Sequence, residues 1–190
     1  MKEPNWKTAT EEEVWKYVAY HLAKSGIGSV LVGGSVVSIY SKGIYRSGDL
    51  DLVCTSFEVT NKDLIPIMSE IGFKKRVAGR HFEHPKCKHI FVEFLSPPVM
   101  IADDFEITPD EIKVKGKIIK ILSPTDCIKD RLASFIYFQS RDCLEQAILV
   151  AQSQPFHLSK IEQWAKKEGK QAEKGFQEFL KELKNKNLTK

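Results

Sequence analysis

A chain of 190 residues with 42% hydrophobic residues is long enough to bury a sizeable core in one compact unit carrying a helical extension. Its 29 Lys and Arg against 25 Asp and Glu leave a net charge of +4, which permits contact with nucleotide or nucleic acid without demanding it. No apolar run reaches membrane-spanning length and no basic segment leads into a hydrophobic core at the N-terminus, so neither insertion nor export is expected and a cytoplasmic location is.

The first helix is expected to start at Thr10, where Thr10-Glu11-Glu12-Glu13 offers a capping box and places acids at the positive helix end. Val14, Trp15, Val18 and Leu22 recur at helical spacing and form the stripe that packs on a sheet, with Gly26 and Gly28 closing the helix. His21 beside that stripe reads as a solvated or core-edge side chain. An apolar run from Ser29 to Val32 stops at Gly33-Gly34-Ser35 and passes into Val36 to Tyr40, the pattern of a buried strand turning sharply into a short helix. Glycines there permit the turn and bare the backbone to an approaching phosphate. The chain then reaches Gly48-Asp49-Leu50-Asp51-Leu52, where strand alternation puts both aspartates on one face and both leucines on the other. Two carboxylates on one strand face suit a hard divalent cation.

Gly33-Gly34-Ser35, a spacer, then Asp49-Leu50-Asp51 resembles the signature of the nucleotidyltransferase superfamily with the polymerase-beta-like fold. That resemblance implies transfer of a nucleoside monophosphate from a nucleoside triphosphate to a hydroxyl acceptor. It further implies two magnesium ions held by Asp49, Asp51 and a third acid on a later strand. Gly33, Gly34 and Ser35 would hold the terminal phosphates by backbone amide and hydroxyl. Taken separately, a glycine pair and an Asp-x-Asp are weak signals that fit an ordinary turn and a solvated edge strand.

Leu64, Ile65, Ile67, Met68 and Ile71 mark a second packed helix ended by Gly72. Phe73 to Val77 begins a strand, Gly79 to His89 reads as a loop, and Ile90 to Leu95 resumes a strand stopped by Ser96-Pro97-Pro98, so a hairpin fits best. Glu93 interrupts that last apolar run, and a carboxylate in a buried strand needs a partner; it is the candidate third acid. The competing reading makes it half of an ion pair with Arg80 or Lys75, and Asp103 and Asp104 are rival acids in what reads as a loop. His81, His84, Cys87 and His89 are four zinc-type donors in one loop, but their spacing matches no finger or ribbon and Pro85 and strand alternation would scatter them. Ile112 to Leu122 alternates apolar and basic residues around Gly116, as a hairpin with one solvated face does.

Ser123-Pro124-Thr125-Asp126 is a helix start with a capping Ser and Pro in the first turn. Two helices follow, Cys127 onward and Ser140 onward. Their wording resembles the helical segment of small bacterial nucleotidyltransferase-like proteins, including the toxin type of abortive-infection systems. By that resemblance Lys129 faces the triphosphate and Arg141 with Asp142 braces it, although Gln146 stands near where a further acid is usual. Without it, Lys129, Arg131 and Arg141 read as helix-surface charges. From Leu158 the tail reads as two helices separated near Gly169 and Gly175, dressed with Lys and Glu. Cys54, Cys87, Cys127 and Cys143 form no Cys-x-x-Cys and are expected to be reduced core thiols.

The architecture expected is therefore an α/β (α+β) polymerase-beta-like core with a mixed sheet over residues 1–122, followed by a helical segment over residues 123–190 that walls a nucleotide cleft. Expected partners are a nucleoside triphosphate and an acceptor that is protein, RNA or small molecule. Two other readings stand beside the enzyme: a catalytically silent binding module with an antitoxin-like partner, and an RNA adaptor using the lysine-rich tail.

Overall fold

The computed structural model describes residues 1–76 and 81–188. Arg80 and the end of the strand expected over Phe73 to Val77 lie outside the described residues. Helix α1 (Glu11–Lys24) begins as its sequence requires: the Thr10 hydroxyl accepts from the Glu13 amide and the Glu13 carboxylate accepts from the Thr10 amide at 2.9 Å. Its stripe of Val14, Trp15, Val18 and Leu22 is fully buried, each side chain contributing about 1.5–3 kcal/mol of transfer free energy. Ahead of it, Trp6 is buried too, its ring stacked on His84 at 4.0 Å and edge-on to Tyr17 and Phe73.

Strand β1 (Ser29–Val32) turns at Gly33 into α2 (Gly34–Tyr40), and the chain returns through β2 (Asp49–Cys54), antiparallel to β1. Helix α3 (Asn61–Glu70) starts on a second capping box, Thr60 with Asp63, and leads to β3 (Lys74–Lys75), β4 (His81–His84) and β5 (Cys87–Leu95). The expected hairpin is present but tighter than its apolar runs suggest: His81–His84, inside the expected loop, form β4 and pair antiparallel with β5, which starts three residues ahead of Ile90, and the turn is made by Pro85 and Lys86. Strands β6 (Asp110–Val114) and β7 (Lys117–Ile121) form the expected second hairpin, turning at Lys115 and Gly116, both at positive φ. Among the described residues the strands make one mixed sheet in the order β3-β4-β5-β2-β1-β7-β6, with β2 parallel to β5 and β1 parallel to β7.

Helix α4 (Pro124–Phe138) is capped by the Ser123 hydroxyl, which accepts from the Asp126 amide, and is followed by α5 (Arg141–Ser153), α6 (Leu158–Glu168) and α7 (Lys170–Leu188). The tail breaks at Gly169, at φ +99°, but runs unbroken through Gly175, contrary to expectation. Gly175 sits there because a β-carbon would lie 2.5 Å from Ile136 Cγ1: the glycine lets α7 press onto α4. One apolar core runs from Trp6 through the sheet to Phe176 and Phe179 of α7, so the helices and the sheet share it. All four cysteines are buried and unpaired. Among the described residues no helix is long and apolar enough to cross a membrane.

Candidate active site

Alternation along β2 buries Leu50 and Leu52 completely on one face of the sheet and leaves Asp49 and Asp51 half-buried on the other. The parallel register sets Glu93 of β5 directly beside Asp51, and Val32 at the end of β1 lies on Asp51's other side. Cross-strand neighbours share a face, so three carboxylates occupy one patch of sheet at the mouth of the β1–α2 turn.

The turn is fitted to that patch. Gly33 has φ +74° and ψ −156°, a conformation essentially confined to glycine, and a β-carbon there would stand 2.5 Å from Asp51 Oδ2. A β-carbon on Gly34 would meet Ser47 Oγ at 2.6 Å. The Ser47 hydroxyl in turn donates to Asp49 Oδ1 at 3.0 Å, while Ser35 donates to the Asp49 carbonyl. Glycines are thus required by the approach of the aspartate strand, and Ser35 is spent on it: fully buried, its hydroxyl holds β2 against α2 rather than facing the open side of the turn.

The electrostatics follow from the crowding. Burial pushes the Asp51 carboxyl up to about 6, and the charges of Asp49 and then Glu93 push the same way, opposed by Arg131. Glu93 Oε2 lies 3.6 Å from His81 Nδ1, the residue opposite it on β4. Among the described residues no three His, Cys, Asp or Glu side chains stand ready as a metal-binding cluster. Asp49 is turned to Ser47 and Glu93 to His81.

The helical residues expected beside the phosphates are placed elsewhere. Lys129 is buried and paired with Asp126 at 3.0 Å and Asp104 at 3.3 Å, so its charge is neutralised inside α4's own surroundings, and Asp104 is its partner rather than a third acid. The Asp103 amide donates to Glu168. Arg141 is exposed, pairs with Glu178 and Glu182 of α7 and lies over the Phe135 ring. Asp142 beside it is exposed.

Arg131, read from the sequence as a surface charge, is the cation that acts on Asp51. Its side chain is largely buried, binds Asp130 through two nitrogens at 2.6 and 3.0 Å, and donates to Gln146 Oε1 at 3.3 Å. Gln146 thereby serves as a neutral acceptor on α5 where the resemblance led one to look for an acid. The four zinc-type donors do not converge: Cys87 Sγ lies 3.9 Å from His89 Nδ1, but His89 Nε2 bonds the Ala9 carbonyl at 2.9 Å, His84 stacks on Trp6, and His81 faces Glu93.

No family model matches this chain, and no match is found among curated proteins. Solved structures do match. A crystal structure of an antigenic nucleotidyltransferase-like protein from Paracoccidioides brasiliensis aligns at TM-score 0.56 with 18% identity, covering 75% of this chain and 75% of that one. The solution structure of the antibiotic-resistance factor ANT(2'')-Ia aligns at TM-score 0.51 with 14% identity, covering 93% of this chain and 96% of that one. At such identities the likeness is one of fold: the chain has the nucleotidyltransferase fold that its glycine turn and paired aspartates lead one to expect.

Proposed function

We propose that the protein is a magnesium-dependent nucleotidyltransferase that moves a nucleoside monophosphate from a nucleoside triphosphate such as ATP to an acceptor hydroxyl. The observation that carries this reading is the state of Asp51: two further carboxylates crowd it beside a turn whose glycines exist to admit it. A surplus of buried negative charge with only oxygen donors is chemistry that a hard divalent cation relieves, so the residues suit magnesium. Asp49, Asp51 and Glu93 would hold the ions, which when bound neutralise the triphosphate and stabilise the departing pyrophosphate.

The remaining parts belong to the chain. Gly33 and Gly34 keep side chains off the turn, so that phosphate oxygens approach backbone amides. Ser47 orients the Asp49 carboxylate through its hydroxyl. Arg131, though paired with Asp130, lies in electrostatic reach of Asp51 and favours its charged form. The acceptor oxygen bonds the α-phosphorus as the bond to the bridging oxygen breaks, and the hydroxyl proton passes to solvent.

Incubation with α-labelled and γ-labelled nucleoside triphosphates, magnesium and cell extract tests the proposal. Label carried from the α position alone to a product, and lost in Glu93→Gln, supports it; no α-label transfer with any nucleotide counts against it. The engagement of Asp49 by Ser47 and Glu93 by His81 favours one second reading, a nucleotide-binding module that leaves no product, alone or beside an antitoxin-like partner. Nucleotide binding without label transfer would select it.

A further inference from the structure

The segment after β5 and the last turn of α4 leave large apolar side chains in solvent at one place. Phe138 is 82% exposed, and with the exposed Tyr137 and Met100 it lines a groove of about 440 Å³. Every charged side chain on the walls of that groove is an acid: Asp103, Asp130 and Glu168. Asp130 is engaged by Arg131, so the free charge lies with the other two. Glu168 accepts from the Asp103 amide at 3.2 Å and the Tyr137 hydroxyl at 3.1 Å, neutral donors that leave its negative charge in place, and Asp103 is exposed. An apolar floor rimmed by polar groups has the anatomy of an interface.

The opposite combination stands on the hairpin of β6 and β7. Among the described residues β6 is an outer strand of the sheet, so this hairpin lies at its edge. Register sets Lys113 opposite Ile118, on the face turned away from the buried Ile119 and Ile121. Ile118 is 53% exposed, and Lys113, Lys115 and Lys117 are exposed around the turn. The next pair along that face, Glu111 with Lys120 at 3.0 Å, neutralises itself, so the unpaired positive charge gathers at the tip.

We infer that the tip of the β6–β7 hairpin of one copy of this chain docks in the acidic apolar groove of a second copy. Ile118 brings an aliphatic side chain to the groove's rings, and the lysines meet Asp103 and Glu168 at its rim. Complementarity selects this occupant: a net charge of +4 sets two copies against each other on average, and the groove is a place where the sign is reversed. Hairpin and groove are different surfaces, so the contact is head-to-tail, and a copy that has used one still offers the other. None of this depends on nucleotidyl transfer.

Sedimentation equilibrium of the full chain tests the contact. Wild type is expected to associate as its concentration rises and to dissociate as salt is added. A groove variant, Asp103→Lys with Phe138→Ser, and a hairpin variant, Lys113→Glu with Lys117→Glu and Ile118→Ser, are each expected to self-associate about tenfold more weakly or worse. Mixed in equal amounts, the two are expected to recover the wild-type affinity as a heterodimer that grows no further, because one keeps its hairpin and the other its groove. Every substituted side chain is exposed, and melting temperatures check that each variant is folded. Wild type that stays monomeric up to its solubility limit, association indifferent to either variant, or a mixture that remains monomeric overturns the inference. A monomeric wild type whose groove binds a lysine-rich peptide overturns it as well and gives the groove to another protein.

Discussion

At Asp51 burial first, and then the neighbouring carboxylates, raise the proton affinity of a half-buried carboxyl, and the sign of the consequence follows. The folded value of about 6 lies above the ordinary 3.8, so between those values the folded chain binds the proton more tightly than the unfolded one. Metal-free stability is therefore expected to fall as pH rises from about 4 through 6, by on the order of 3 kcal/mol at most, as thermal melts across that range would record. Asp51→Asn removes the repulsion, so it should raise the metal-free melting temperature near neutral pH while eliminating transfer. A variant less stable than wild type would contradict the crowding. Gly33→Ala acts in the opposite direction. Its backbone would have to leave the region only glycine occupies, and its β-carbon would press on Asp51, for a cost of about 2 kcal/mol or more in urea denaturation together with lost activity.

Helix α7 shows how an element can mislead when read alone. Gly175 has the appearance of a breaker, and in a free helix its replacement by Ala would gain about 1 kcal/mol. Pressed on Ile136, Gly175→Ala is expected instead to destabilise by about 1–2 kcal/mol, with part of the loss recovered in the Gly175→Ala, Ile136→Val pair. The same contrast separates what was legible in the sequence from what was not. Period-two alternation in Asp49 to Leu52, the capping box at Thr10 and the turn at Gly116 are local signals, and those elements stand where their patterns place them, whereas β5 begins ahead of its apolar run. Arg131 read as surface because its burial depends on α5 presenting Gln146, a tertiary fact with no local trace. The resemblance alone puts Lys129 and Arg141 near the phosphates; Asp126 is a local partner of Lys129, but Asp104 on a connecting loop and Glu178 and Glu182 on α7 lie 25 and 37 or more residues away. Arg141 is exposed, so Arg141→Ala should cost less than about 1 kcal/mol.

Across the whole molecule the helices complete the core. Ile161, Trp164, Ala172, Phe176 and Phe179 are buried in the same cluster as the sheet residues, so a chain ended at Gln154 loses the cover of α4 and α5 and is expected to aggregate or to lose its cooperative melt. The helices also carry Arg131 to Asp51 and so set the charge balance of the carboxylate patch from outside the sheet. That balance is the centre of the account: three carboxylates, the opposing charge of Arg131, and a bare turn between them. Calorimetric titration of nucleoside triphosphate into the protein, with and without magnesium, tests it most directly. Binding that requires magnesium in the wild type and disappears in the Asp49→Ala, Asp51→Ala double variant is the result expected; binding unchanged in that variant, or indifferent to the metal, would contradict it.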